Sequence, residues 1–191
     1  MPMINETSAF NEDVYMCEEF LRLKNKYGIK TAIETGTYHG MTTAWLSKNF
    51  DKVHTTEVNK TYYAEAVKNL VGLNNISMNL SDSTQALPNI LKQCDNNTIV
   101  FLDAHWYKNP VLKELEMIAQ SGLKPIIAIH DFKNPKHPDY GFDIYPEQKI
   151  VYEWKWVVAY INAIYGEGKF EHYFNDKATG AKRGCVFILP K

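Results

Sequence analysis

Hydrophobic and polar positions follow two rhythms along this chain, and together they predict short strands separated by helices. Thr31 to Glu34 reads as a short buried strand and Lys52 to Glu57 (KVHTTE) as a second, rich in β-branched Val53, Thr55 and Thr56. Ile76 to Leu80 is a third, and the apolar runs TIVFLD (Thr98 to Asp103) and PIIAIHD (Pro125 to Asp131) are a fourth and a fifth. Helical spacing fills the gaps at Lys60 to Leu70, Thr84 to Lys92 and Pro110 to Gln120. In the last of these Val111, Leu112, Leu115 and Ile118 share a face opposite Lys113 and Glu116, and Pro110 suits a first helical position. Asn11 to Tyr27 reads as an N-terminal helix, with Asn11 as N-cap, an apolar face from Val14, Cys17, Phe20, Leu21 and Leu23, and Gly28 as the stop. Glu147 to Tyr165 reads as the longest helix, through Ile150, Val151, Trp154, Val157, Val158 and Ile161. Phe170 to Phe174 and Gly184 to Leu189 are the last two strands, joined by DKATGAKRG. Strands alternating with helices predict an α/β, doubly wound parallel sheet.

The strand ends carry the chemistry. The stretch TAIETGTYHGMTTAWL runs from a strand ending in Glu34 through a turn, Gly36 to Gly40, into a helix carrying Ala44, Trp45 and Leu46. Glycine lets a ligand approach the backbone, and the free N–H groups of a first helical turn favour an anionic group. The spacing Glu-x-Gly-x-x-x-Gly departs from the Gly-x-Gly-x-x-Gly of dinucleotide binders. Glu57 lies twenty-one positions after Gly36. A carboxylate at that distance sits at the tip of the next strand, clear of the core, where it can chelate two ribose hydroxyls. Asp82-Ser83, Asp103 and His130-Asp131 close the following strands. Ligands of open α/β sheets bind at the carboxyl ends of strands, so these endings are expected to meet in one crevice.

Composition narrows the partners. The 191 residues suit one domain, with a helical region at 1–29 and a core at 30–191. A net charge of −1 argues against extensive nucleic-acid binding. Cys17, Cys94 and Cys185 are widely separated, which argues against a zinc site or a disulfide framework. Met1 to Phe10 lacks the basic start and apolar core of a secretory leader, and no run is long enough for a membrane span. A cytoplasmic protein with no membrane partner is expected. The N-terminal helix offers a surface on which a second subunit could dock, giving a homodimer.

On ETGTYHGMTT, Glu57, Asp82-Ser83, the string LDAHWYKNPVLKELE from Leu102 and IHD at Ile129, the chain resembles class I S-adenosylmethionine-dependent methyltransferases. Within them it is most similar to small-molecule O-methyltransferases acting on macrolide, cephalosporin and sugar hydroxyls. The resemblance spans roughly residues 30 to 190. It implies a Rossmann-like, seven-stranded, mostly parallel sheet whose final strand is antiparallel. It also implies S-adenosylmethionine as cofactor, with Glu34, Gly36, Thr37 and Gly40 on its methionine part, Glu57 on the ribose and Asp82 with Ser83 at the adenine edge. Tyr38 stands where many relatives carry glycine, and its side chain is expected to narrow the pocket.

Methyl transfer to a hydroxyl needs an oxygen made more anionic and aligned with the sulfonium. Asp103, His105 and Asp131 are the catalytic candidates. Asp103 and Asp131 are hard oxygen ligands suited to Mg2+, and His130 as a third would favour Mn2+. Asp103 could instead only contact the cofactor, and His130 could point into the sheet core. His105 could act as general base or merely cap the next helix. The loop Phe132 to Pro146 is long enough to be functional, with Tyr140, Phe142 and Tyr145 as walls for the acceptor and Trp106 and Tyr107 opposite. Two other classes remain open: a dinucleotide-dependent oxidoreductase, and a non-catalytic module that keeps the fold for binding.

Overall fold

The computed structural model describes residues 6–104 and 109–191. Among them, seven strands form one sheet: β1 (Thr31–Thr35), β2 (Lys52–Glu57), β3 (Ile76–Leu80), β4 (Thr98–Leu102), β5 (Ile126–His130), then, after two short strands elsewhere, β8 (Phe170–Phe174) and β9 (Cys185–Pro190). The sheet order is β3-β2-β1-β4-β5-β9-β8. Neighbours from β3 to β5 pair in parallel, while β9 pairs antiparallel to both β5 and β8. This is the doubly wound α/β arrangement expected from the sequence, with its antiparallel last strand.

Alternation along the strands splits the core into two layers, because successive side chains leave opposite faces. Ile33, Val100, Leu102, Ile127 and Ile129 pack on one face with α4 (Ser83–Leu91), α5 (Val111–Ser121) and α6 (Trp154–Tyr165). Ala32, Phe101, Ala128 and Phe187 pack on the other with Phe10, α1 (Val14–Tyr27) and Trp45 of α2 (Met41–Asn49). A smaller cluster joins Ala44 to Ala66 and Leu70 at α3 (Lys60–Asn69).

Two expected elements change. α1 starts three residues later than expected: its N-cap is Asp13, not Asn11, and the Asp13 carboxylate accepts the backbone N–H groups of Tyr15 and Met16. Asn11 instead lies in a kinked 3-10 segment in which Phe10, Asn11 and Glu12 all have positive φ. That segment is tied to the β8–β9 connection, where Ala181 donates to the Asn11 carbonyl at 3.1 Å. The buried face of α1 is Met16, Phe20 and Leu23, with Val14 exposed. This face packs on the chain's own sheet.

The helix expected from Glu147 is cut short. Ile150–Val151 (β7) pairs antiparallel with Ile144–Tyr145 (β6), Lys149 turns at φ 55°, and α6 begins only at Trp154. Ile150 and Val151 sit at helical spacing from Trp154, yet their β-branched side chains serve a two-stranded ribbon. The longest helix among the described residues is α1, with 14 residues.

Candidate active site

The sheet order reverses direction between β1 and β4, so the switch-point crevice falls there. The backbone makes it possible. Gly36 follows β1 with φ 88°, and a Cβ on it would stand 2.6 Å from the Asp103 carbonyl oxygen. The glycine is required by the contact between two strand ends, before any ligand is considered. Around this junction opens a cleft of about 1140 Å³. Glu34, Gly36, Thr37, Glu57, Asp82, Ser83, Asp103 and Asp131 all line it. Gly40 sits behind the cleft as the residue before α2, at φ 81°, with Leu70 packed 3.2 Å from where its Cβ would be.

One half of the cleft is held by hydrogen bonds from nearby chain. Glu57, at the end of β2, accepts the Tyr38 N–H on one oxygen and the Asn59 N–H on the other, each at 2.8 Å. It therefore orders the turn as well as lining the cleft, and it is buried, which corrects the expectation of a strand-tip side chain clear of the core. Glu34 is almost fully buried and accepts hydroxyl protons from Thr43 and Thr55. Burial pushes its carboxyl up to about 8, with the neighbouring Asp103 and Glu57 charges adding to the effect. Thr37 shares a 2.6 Å hydroxyl contact with Thr55. Asp82 caps α4, accepting from the backbone and hydroxyl of Thr84 at 2.9 and 2.6 Å. Tyr38 adopts φ 49°, a left-handed backbone that glycine would take without strain. Its ring is 47% exposed and lies against His39 and Tyr62, at 3.8 and 4.6 Å between centroids. It forms a rim to the cleft.

The other half is built from charges. His130 ends β5 on the face occupied by Phe101, buried, with Nδ1 3.0 Å from Asp103 Oδ1 and 3.5 Å from Asp131 Oδ1. Core burial and contact with the cleft carboxylates hold together here. Burial alone would lower the imidazole, but Asp103 and Asp131 outweigh it and hold His130 well above its ordinary value. Carboxylates accept and do not donate, so Nδ1 carries a hydrogen. Asp131 turns the chain at φ 53° and pairs with Nε of Arg183, whose terminal nitrogen donates to Asp143 at 2.6 Å. Arg183 and Asp143 line the cleft too, as do Lys113, Ser8 and Asn11. No signal in the sequence singles out Arg183, one of several cations in the segment before the last strand. His105, Trp106 and Tyr107 lie outside the described residues.

The loop after β5 differs from the expected aromatic wall. Phe132 and Asn134 are buried, and Tyr140 is buried with its hydroxyl accepting from the Ala178 N–H. Neither Tyr140, Phe142 nor Tyr145 lines the cleft, and Asp143 takes that place. Backbone hydrogen bonds from Phe132 to Gly184, Gly141 to Lys182 and Asp143 to Asp131 fasten the loop at both ends. No described helix is long and apolar enough to cross a membrane.

The sequence matches no protein-family model and no curated protein sequence. Solved structures do resemble the fold. An O-methyltransferase from Bacillus cereus in complex with SAH superposes with a TM-score of 0.63 at 16% identity, covering 93% of this chain and 81% of its own. The O-methyltransferase TomG of Streptomyces achromogenes, involved in tomaymycin synthesis and in complex with SAM, gives 0.63 at 14% identity, covering 92% and 79%. An rRNA methylase from Streptococcus thermophilus gives 0.57 at 14%, covering 92% and 94%. These likenesses, with the sheet order, establish that the chain shares the α/β Rossmann-like fold of these methyltransferases.

Proposed function

We propose that this protein is an S-adenosylmethionine-dependent methyltransferase that methylates a hydroxyl oxygen of a small molecule. The observation that carries this reading is the convergence of Glu34, Gly36, Thr37, Glu57, Asp82, Ser83 and Asp103 on one cleft. Its volume of about 1140 Å³ gives room for a nucleoside-sized cofactor beside a small acceptor. Bound there, S-adenosylmethionine supplies an electrophilic methyl group on a sulfonium.

The chain's own groups have the following parts. Glu57, held in place by two backbone N–H groups, accepts the ribose hydroxyls with its remaining lone pairs. Asp82 and Ser83 meet the adenine edge. Gly36, Thr37 and Glu34 face the amino-acid end, with Gly40 setting the backbone into α2. Asp103 stands at the border of both halves, Asp131 belongs to the acceptor side, and His105, outside the described residues, keeps its proposed part as general base. The divalent metal expected from the sequence has one observation in its favour: Asp103, His130 and Asp131 each bring a ligand atom within 4.8 Å of the others. Pairing argues the other way, since His130 Nδ1 faces the two carboxylates as a donor and Arg183 occupies Asp131. The reading is therefore carried without a metal step.

Calorimetric titration with S-adenosylmethionine and with NAD tests it. Saturable binding of the first and none of the second is the expected result. Binding of NAD alone would move the assignment to an oxidoreductase, and binding of neither at millimolar concentration would favour a non-catalytic module. Transfer of a radiolabelled methyl group to a panel of hydroxyl acceptors then completes the test.

A further inference from the structure

The Asp103–His130–Asp131 triad has the ligand count of a hard-metal site, but the Oδ1 atom of each aspartate and Nδ1 of the histidine are already engaged with one another or with Arg183. Asp131 Oδ1 accepts from Nε of Arg183 and lies 3.5 Å from His130 Nδ1, which also meets Asp103 Oδ1 at 3.0 Å. A nitrogen that donates has no lone pair for a metal. A divalent ion on Asp131 would also stand beside a guanidinium, which stays charged at all working pH. Arg183 is held from several sides. Asp143 accepts from its terminal nitrogen at 2.6 Å, and Asp143 is itself fixed by its N–H to the Asp131 carbonyl at 2.9 Å. Gly141 bridges to Arg183 and leaves space for it, because a Cβ there would come 2.6 Å from a guanidinium nitrogen. Two of the five N–H groups of the guanidinium serve Asp131 and Asp143, and the side chain lines the cleft.

We propose that Arg183 is the resident cation of the acceptor site: clamped on Asp131 by Asp143 and Gly141, it excludes a divalent metal and presents its remaining N–H donors to the acceptor oxygen. The second clause rests on the methyltransferase reading; the first does not. A guanidinium polarises a hydroxyl far less than a divalent ion does: it offers hydrogen bonds, not the inner-sphere coordination by which a metal takes both oxygens of a catechol. The acceptor class that follows is an already acidic hydroxyl, a phenol or enol, with no advantage for a catechol. Such an acceptor enters as its oxyanion, its proton having passed to water. The oxygen bonds to the methyl carbon as the carbon–sulfur bond breaks, and that electron pair stays on sulfur.

Electron paramagnetic resonance of Mn2+ titrated into the cofactor-free protein tests the exclusion. Wild type is expected to bind no Mn2+ at this site, Arg183→Gln to gain affinity at least tenfold, and Arg183→Lys, which keeps the charge, to stay near wild type. Asp143→Asn loosens the arginine without removing it and is expected to gain a smaller affinity, so it carries the test should Arg183→Gln not fold. Mn2+ bound by wild type and lost in Asp131→Asn would overturn the proposal, and so would a failure of both variants to gain binding. These results do not depend on any methyl transfer. For the acceptor, turnover of a monophenol is expected to be unchanged by EDTA and within about threefold of a catechol. A tenfold loss in EDTA restored by Mg2+, or a tenfold preference for catechol, would overturn the resident-cation role while leaving the methyltransferase reading in place.

Discussion

The two halves of the cleft are made by different means. On the β1–β2–β3 side, Glu57 holds the N–H groups of Tyr38 and Asn59, and Glu34 holds the hydroxyls of Thr43 and Thr55. These partners lie within 21 residues of one another. On the β4–β5–β9 side, charges meet across 27, 40 and 52 residues, in His130–Asp103, Arg183–Asp143 and Arg183–Asp131. The first half is ordered by backbone N–H groups, hydroxyls and carboxylates close together in the chain. The second depends on whole-sheet assembly, and its groups act as a coupled set of charges. Two buried histidines carry the same lesson. His130 between carboxylates is held well above its ordinary value, whereas His54, buried in β2 with neither ring nitrogen hydrogen-bonded, is pushed down to about 4.

The most severe test of this division is Gly36→Val, because Gly36 joins the halves. The branched side chain would meet the Asp103 carbonyl and force a left-handed backbone. Loss of all measurable cofactor binding and a stability loss of about 3 kcal/mol or more are expected. Thermal unfolding checks the second, and a variant with parental melting behaviour would detach the glycine from the strand contact. Gly40→Ala, strained at φ 81° but facing only Leu70 and Ala66, is expected to cost about 1 kcal/mol.

Asp131→Asn should separate the halves kinetically. Turnover is expected to fall about 100-fold while cofactor affinity stays within about threefold, since the lost charge lies on the side proposed to take the acceptor. Equal losses in both would mean that the charged network also shapes the β1–β2–β3 half.

Glu57→Gln is the converse experiment. Affinity for S-adenosylmethionine should fall by roughly 1.5–3 kcal/mol in a folded protein. Glu57→Ala should also loosen the Tyr38 turn, visible as faster amide exchange at Tyr38 and Asn59. Unchanged affinity in the glutamine variant would remove Glu57 from the ribose.

The smallest effect concerns protons. With its carboxyl near 8, Glu34 is mostly neutral at pH 7, and a cationic ligand beside it would favour the ionised form. Cofactor binding is then expected to release a fraction of one proton at pH 7, fading above pH 9. Binding enthalpies measured in buffers of different ionisation heat report it, and Glu34→Gln should abolish the difference. For stability the sign is fixed: the folded state holds this proton where the unfolded chain has lost it. Stability from this group is complete below about 4.5 and is lost as pH rises through about 8. A Glu34→Gln variant whose pH–stability curve matched the parent would contradict that sign.

Much of the β1–β2–β3 half was legible because its determinants are local. Glu34, Gly36 and Thr37 are consecutive in pattern, and Glu57 stands at a set distance in the next strand. The β4–β5–β9 half was legible only in part. Asp103, His130 and Asp131 could be named, since each closes an apolar run. Their mutual distances could not. Arg183 and Asp143 carry no pattern of their own, and the aromatics Tyr140, Phe142 and Tyr145 suggested a wall that the folded loop turns elsewhere. The Glu147–Tyr165 helix failed for a related reason: helical spacing of Ile150 and Val151 is equally served by a short ribbon closed at Lys149.

The sequence by itself determined the seven strands of the main sheet, most of the helices, the doubly wound fold and the carboxylate at or just past the end of each parallel strand. Those follow from side-chain period, β-branching, glycine and caps, all of which act over a few residues. Only the tertiary structure decided that Gly36 is demanded by the chain at the end of β4, that burial beside Thr43 and Thr55 raises the Glu34 carboxyl, and that an arginine from the β8–β9 connection sits on Asp131. Burial and charge pairing depend on which distant segments share a space, and that is fixed by the packing of the whole sheet.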